Sequence, residues 1–211
     1  KLNNVELSSR WYPGGGLYRP VRLILSGESA IDTWGVSITT PEVSESKATV
    51  QAQVALREGS ADGLEAQLEV LDAGGKAVAS CRGQFSGGRL SHTLTLDRPA
   101  LWSPESPSLY TLVTRVLGGG KVIDENRTRF GVRSIAFSRE NGFQLNGKTR
   151  KFKGVCLHHD LGPLGAAVNE AAISRQIRIM KDMGCDAIRT SHNMPSTMMM
   201  DLCDSLGMLV M

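Results

Sequence analysis

The sequence predicts a mainly β chain: an antiparallel β-sandwich of immunoglobulin-like size, then the opening units of a parallel βαβαβ arrangement. Three observations predict it. Up to residue 137 apolar and polar residues alternate, which is the period of half-buried strands. Glycine-rich turn signals interrupt that alternation at 72–76, 86–88 and 118–121. After residue 137 the apolar spacing lengthens to three and four, and near-continuous apolar runs alternate with one-sided helices.

The opening stretch "SSRWYPGGGLYRPVRLIL" ends in an alternation that predicts a strand, and it reads as the tail of a preceding β-domain. Its Gly14-Gly15-Gly16 lies between Pro13 and Leu17, neither following a strand nor opening a helix, so it makes no phosphate cradle. "TVQAQVAL" sets Val50, Ala52, Val54 and Leu56 on one face. "GLEAQLEVLD" repeats this with Leu64, Ala66, Leu68 and Val70, and "RLSHTLTL" with Leu90, Leu94 and Leu96. A Cys–Trp–Cys core is missing, so the architecture is predicted without the antibody-type interior. "LWSPESPSLY" carries Pro104 and Pro107 and must be a loop, anchored by Trp102 and leading into a strand from Leu109. "FQLNGKTRKF" is a hairpin, its Asn146-Gly147 suited to a type I′ turn.

The second half follows in order. "FKGVCLHHD" is an apolar strand ending in polar groups. In "NEAAISRQIRIMKDMG", Ala172, Ile173, Ile177, Met180 and Met183 share one helical face, with Asn169 as N-cap and Gly184 as terminator. "CDAIRTSH" is a second strand, 196–206 a second helix stopped by Gly207, and "MLVM" a third strand. "STMMMDLC" reads as helix core rather than a binding surface. The expected domains are 1–28, the end of a β-domain; 29–137, the sandwich; and 138–211, the parallel α/β segment.

Composition narrows the function. Over 211 residues the formal charge is only +3, with Lys and Arg scattered among Asp and Glu, so no nucleic-acid partner is expected. No run of about 18 apolar residues exists, so no membrane span is expected. The start has neither an initiating Met nor the apolar core of a signal peptide, so it is not expected to be a natural start. Cys81, Cys156, Cys185 and Cys203 form no C-x-x-C pair, and three lie in apolar segments, which favours buried free thiols. No H-x-x-x-H pair occurs, and neither a metal site nor a cofactor is expected within the chain.

In parallel α/β folds functional groups collect at the carboxyl ends of strands. The first such strand ends in His158-His159-Asp160, the second in Arg189-Thr190-Ser191-His192-Asn193. Two neighbouring strands would aim imidazoles and a guanidinium at one rim. Histidine can donate to a sugar hydroxyl, and arginine can grip a carboxylate through two parallel bonds. The competing reading is that these groups only satisfy loop ends, and spacing alone does not separate the two. Ser191 and His192 are sequence neighbours, which does not by itself imply a triad. His92 falls on the apolar phase of its strand and reads as a satisfied rim histidine.

The segment from "GVCLHHDLGPLGAAVN" to "MKDMGCDAIRTSHNMPSTMMMDLCDSLGMLV" resembles glycoside hydrolase family 2, the family of β-galactosidases, β-glucuronidases and β-mannosidases. Arg189-Thr190-Ser191-His192, Pro195, Asp201-Leu202-Cys203-Asp204 and Gly207 follow its signature. "SSRWYPGGGLYRPVRL" is similar to the end of its sugar-binding β-domain. "LWSPESPSLYTL" and "FGVRSIAF" are similar to the last parts of its immunoglobulin-like domain. Two departures stand out: Asn193-Met194-Pro195 where Tyr-Pro usually follows the signature His, and Asp186 where Asn is usual.

The resemblance implies that 138–211 begins a (β/α)₈ TIM barrel. It implies a retaining glycosidase working through two Glu, an acid/base and a nucleophile. Neither is matched here, and both are expected beyond Met211, so this chain holds no catalytic residue of its own. By resemblance His158 and His192 line the sugar subsite and Arg189 positions the nucleophile, with His159 and Asp160 beside them. The implied substrate is a terminal β-D-glycoside, most of all a β-galactoside, used in carbohydrate metabolism; the compartment, bacterial cytoplasm or periplasm, is left open by the sequence. The chain alone is expected to be inactive and to self-associate through 150–211, because an unfinished barrel leaves strand edges open. The alternative is a non-catalytic spacer or carbohydrate-binding module. An unrelated α/β enzyme built on the His cluster leaves the N-terminal half unexplained.

Overall fold

The alternating half forms seven antiparallel strands in two sheets. The computed structural model describes residues 17, 19–158, 160–192 and 194–211. These divide into two compact units: Ile24–Lys151, and Phe152–Met211 with the described residues up to Leu23. Gly14-Gly15-Gly16, His159 and Asn193 lie outside the described residues.

In the first unit the strands are β1 (Ile31–Val43), β2 (Lys47–Leu56), β3 (Glu65–Leu71), β4 (Ala77–Gln84), β5 (Arg89–Asp97), β6 (Tyr110–Gly118) and β7 (Lys121–Phe130). One sheet runs β1-β2-β5, the other β4-β3-β6-β7. The inward phase of β2, β3 and β5 is the one the alternation marks, and it meets Tyr110, Leu112, Phe130 and Val132 in a single core. That is the sheet-on-sheet packing of a β-sandwich. The turn glycines adopt the left-handed backbone that the tight hairpins need, as at Gly119 (φ 57°) and Gly120 (φ 77°). Edge strand β1 carries Pro41 and two register shifts, which spoil it as a template for further pairing.

Trp102, 1 % exposed, pins the long 98–109 connection. Its amide donates to the Val132 carbonyl (2.8 Å), and the Trp102 carbonyl accepts from Asn146 Nδ2 (3.0 Å). Arg133 lies over the indole, 4.6 Å from the ring centroid. Gly131 is required beside it, since a Cβ there would sit 2.9 Å from Trp102 Cβ. The Asn146-Gly147 turn has φ 51° and 73°, as type I′ demands. It joins β9 (Gly142–Leu145) to β10 (Lys148–Thr149), which form a small sheet with β8 (Ile135–Ser138). A two-pronged Arg150–Glu105 ion pair (2.5 and 3.0 Å) ties the hairpin to the Trp102 loop and holds the Glu105 carboxyl down at about 2.

The second unit is βαβαβ: β11 (Gly154–Cys156), α1 (Glu170–Asp182), β12 (Ala187–Arg189), α2 (Thr197–Leu206) and β13 (Leu209–Val210). The strands are parallel in the order β11-β12-β13. Asn169 caps α1 through Oδ1, which accepts from the Ala172 amide (3.0 Å), and Ser196 caps α2 the same way. Gly207 ends α2 with φ 75°. Ile173, Ile177, Met180, Cys203 and Met208 pack under Ile188 in a second core. Burial pushes the Cys203 thiol up to about 12, with the charge of Asp204 adding to it. Among the described residues no helix is long and apolar enough to cross a membrane.

Two expectations are corrected. Residues 21–25 form no strand, and Val21, Leu23 and Leu25 are largely exposed. Alternation alone does not hold a strand whose backbone groups find no neighbour to pair with. Cys156 is exposed rather than buried, because β11 is only three residues long and the cysteine lies on the face opposite Val155, which packs into the core.

One core group runs against its surroundings. Thr114 faces inward in phase with Leu112 and Val116, is 0 % exposed, and its hydroxyl has no hydrogen-bond partner. A buried unpaired hydroxyl destabilises by about 1–3 kcal/mol, so Thr114→Val is expected to raise the thermal midpoint. A lowered midpoint in a melting experiment would mean that the hydroxyl is satisfied after all.

Candidate functional site

Parallel register brings the polar strand ends together. Gly154 pairs with Ala187, Val155 with Ile188 and Cys156 with Arg189. Side chains at paired positions share a face. Ile188 and Val155 take the helix face, so Cys156 and Arg189 take the open one. Ser191 follows two residues on and is 3 % exposed.

Arg189 Nη1 donates to Ser191 Oγ (3.0 Å) and approaches Cys156 Sγ (3.8 Å). None of its partners among the described residues is a carboxylate. The Ser191 hydroxyl first, then the Arg189 guanidinium, pull the Cys156 thiol below the ordinary cysteine value. Beyond the strand ends, His158 and His192 meet edge to face with ring centroids 6.4 Å apart. The Ser191–His192 peptide bond is cis.

Asp160 is half-buried, and its Oδ1 accepts from the Gly162 amide (2.8 Å) at the start of a short 3₁₀ turn, Gly162–Leu164. Its carboxylate therefore helps to shape the loop. Asp186, the departure from the family pattern, is buried, and Oδ1 accepts from the Lys153 amide (2.8 Å), bracing β11 against β12. Arg19 donates from Nη2 to the Met194 carbonyl in the loop after β12.

The structure thus brings together His158 with His192, and Arg189 with two residues to which the sequence assigned no site role, Ser191 and Cys156. Pairing the two strands in parallel register would have placed Cys156 beside Arg189. The contact of Arg19 with Met194 spans 175 positions and has no signal in local sequence.

A hollow of about 50 Å³ lies against His158, Asp160, Arg19, Pro195 and Met199. Binding clefts for small molecules are typically about 300–1,000 Å³, so this hollow is too small to enclose one by itself. Among the described residues no group of three His, Cys, Asp or Glu is arranged to hold a metal ion.

Comparison with known proteins identifies both halves of the chain. The family model described as "Glycosyl hydrolases family 2" matches residues 31–133, and "Glycosyl hydrolases family 2, TIM barrel domain" matches 137–211. The chain is 40% identical over 219 residues to beta-galactosidase BoGH2A of Bacteroides ovatus, covering 100% of this chain and 26% of that protein. It is 40% identical over 209 residues to a putative beta-glucuronidase of Formosa agariphila, covering 99% and 20%. A crystal structure of a glycosyl hydrolase family 2 member from Bacteroides cellulosilyticus superposes with a TM-score of 0.91 at 41% identity, covering 95% of this chain and 27% of that one. The chain spans about a quarter of the length of such relatives. Matched by both family models in order, with an immunoglobulin-like sandwich followed by the first units of a TIM barrel, the chain belongs to glycosyl hydrolases family 2.

Proposed function

We propose that this chain supplies one wall of the sugar site of a retaining glycosidase that hydrolyses terminal β-D-glycosides, β-galactosides first among them. The observation that carries the reading is the meeting of His158 and His192 at the ends of adjacent parallel strands, rings 6.4 Å apart, beside Arg189. The galactoside preference leans on the B. ovatus relative, and the "Putative beta-glucuronidase" of F. agariphila keeps glucuronides as the competing substrate.

The roles follow from the chemistry. His158 and His192 donate to sugar hydroxyls and stabilise charge as the ring approaches an oxocarbenium ion. Arg189 meets the nucleophilic carboxylate. Retention needs two carboxyl groups about 5–5.5 Å apart across the scissile bond. Asp160 is the described carboxylate nearest the histidines in sequence, and it already braces its own loop. Both catalytic Glu are therefore assigned to later barrel strands of a longer protein, and no residue of this chain is assigned the acid or the nucleophile.

In that longer protein, His158→Ala and His192→Ala are each expected to lower kcat/KM by about a hundredfold or more, the usual effect of losing one charge-stabilising donor. A panel of chromogenic β-glycosides measures this and ranks the sugars. Near-normal kcat/KM in both variants would remove the histidines from the site.

The 211 residues alone are expected to hydrolyse none of that panel. They also expose Ile179, Met183, Met200 and Met211, apolar groups on and beside the helices of the second unit. Self-association through 150–211 is the expected way to cover them. Light scattering showing a strict monomer, or measurable turnover by these residues alone, would contradict this.

A further inference from the structure

The guanidinium of Arg189 is held from one side. Nη1 is engaged by Ser191 Oγ at 3.0 Å on its own strand end and by Cys156 Sγ at 3.8 Å on the neighbouring strand. The Ser191 hydroxyl is itself fixed: the residue is 3 % exposed, and Oγ lies 3.5 Å from the Arg189 carbonyl. Nε and Nη2 make no hydrogen bond with any described residue, so the other edge of the fork stays open. An arginine side chain is rich in rotamers, and at the exposed end of a three-residue strand no other contact with a described residue restrains it.

We propose that Ser191 and Cys156 are positioning residues, pinning Arg189 through Nη1 so that its Nε–Nη2 edge faces a carboxylate across the open side of the sheet. The proposal deepens the glycosidase reading and rests on it for the identity of that carboxylate. The holding itself does not depend on that reading. Two anchors, one just past the end of its own strand and one on the neighbouring strand, fix both the position and the plane of the guanidinium, which one hydrogen bond cannot do. Planar, two-bond recognition of a carboxylate requires that plane to be set in advance. The depressed thiol of Cys156 agrees with this contact, since a nearby guanidinium favours thiolate.

The test reads the thiol and the turnover separately, in the intact protein that carries this chain. Cys156 alkylation by iodoacetamide is followed by peptide mass spectrometry from pH 6 to 10. The thiolate sulfur displaces iodide from the CH₂ carbon, so the rate tracks the thiolate fraction. A lowered thiol value means that more thiolate is present at a given pH. Arg189→Met and Ser191→Ala are therefore each expected to move the alkylation midpoint to higher pH and to slow the reaction at pH 7 by about threefold or more. Unmoved midpoints in both variants would overturn the holding, whatever the protein hydrolyses.

For turnover, Ser191→Ala is expected to lower kcat by about tenfold or more while KM changes by less than about threefold, as for an interaction made only in the transition state. Ser191→Thr keeps the hydroxyl and is expected to recover most of that loss. It also separates positioning from misfolding, because Thr retains the anchor while crowding the same buried spot. Equal losses of kcat in the Ala and Thr variants would overturn the assignment. A wild-type protein inactive on every glycoside, with the thiol midpoints still shifting, would remove the glycosidase reading and leave the holding of Arg189 intact.

Discussion

The polar rim of the second unit depends on one close approach. A Cβ at Gly154 would lie 2.3 Å from the Ala187 carbonyl oxygen, so only glycine lets β11 come this near to β12. That pairing sets the register of the next two positions. It puts Val155 and Ile188 under the helices and Cys156 beside Arg189 on the open face. A slip of one residue would send Arg189 into the apolar core and Ile188 out to the rim. Asp186 secures the same junction from its other end, accepting the Lys153 amide while its own amide donates to the Lys153 carbonyl. An aspartate where the family more often has asparagine is compatible with this task, because its contact with the Lys153 amide uses an acceptor oxygen.

The first unit is organised differently. Its stability comes from a core shared by two sheets, and its long loop is held by polar ties to Trp102. The Trp102 amide and carbonyl, the Asn146 amide group and the Arg150–Glu105 pair lock the loop against the β8–β10 hairpin. That hairpin falls largely inside the stretch matched by the barrel family model, yet it packs within the compact unit of the sandwich. The cross-strand ion pairs Arg115–Glu69 and Arg115–Glu125 are partly exposed and add little individually.

Much of this was legible because local chemistry and tertiary structure agree. Alternation in β2, β3 and β5 names the sandwich core, Asn146-Gly147 names its turn, and Asn169, Ser196 and Gly207 bound the helices. What stayed hidden depends on partners. Residues 21–25 alternate like a strand, but a strand exists only where another backbone accepts its hydrogen bonds. Cys156 sits in an apolar run, but its exposure is decided by which face of a three-residue strand it occupies. Thr114 reads as one more alternating position, and its missing partner is a fact of packing alone. The histidines and Arg189 could be proposed from strand ends, whereas the grip of Ser191 on the guanidinium depends on how the chain turns after the strand.

The division of labour at the rim follows from these constraints. Imidazoles at His158 and His192 stand on loops just past the strands, where they can adjust to a ligand. The guanidinium stands on the strand itself, held at Nη1 by two neighbours. Loops suit groups that follow the ligand, while an element of regular structure suits a group whose plane has to be set before the ligand arrives. A small polar residue is then needed at 191, because its hydroxyl must reach Nη1 from a position almost without solvent. The serine of the Arg-x-Ser-His run is thus explained by the arginine two residues before it. In the proposed site its neighbour in sequence, His192, serves the ligand instead, so that one short run would hold both a support and a contact.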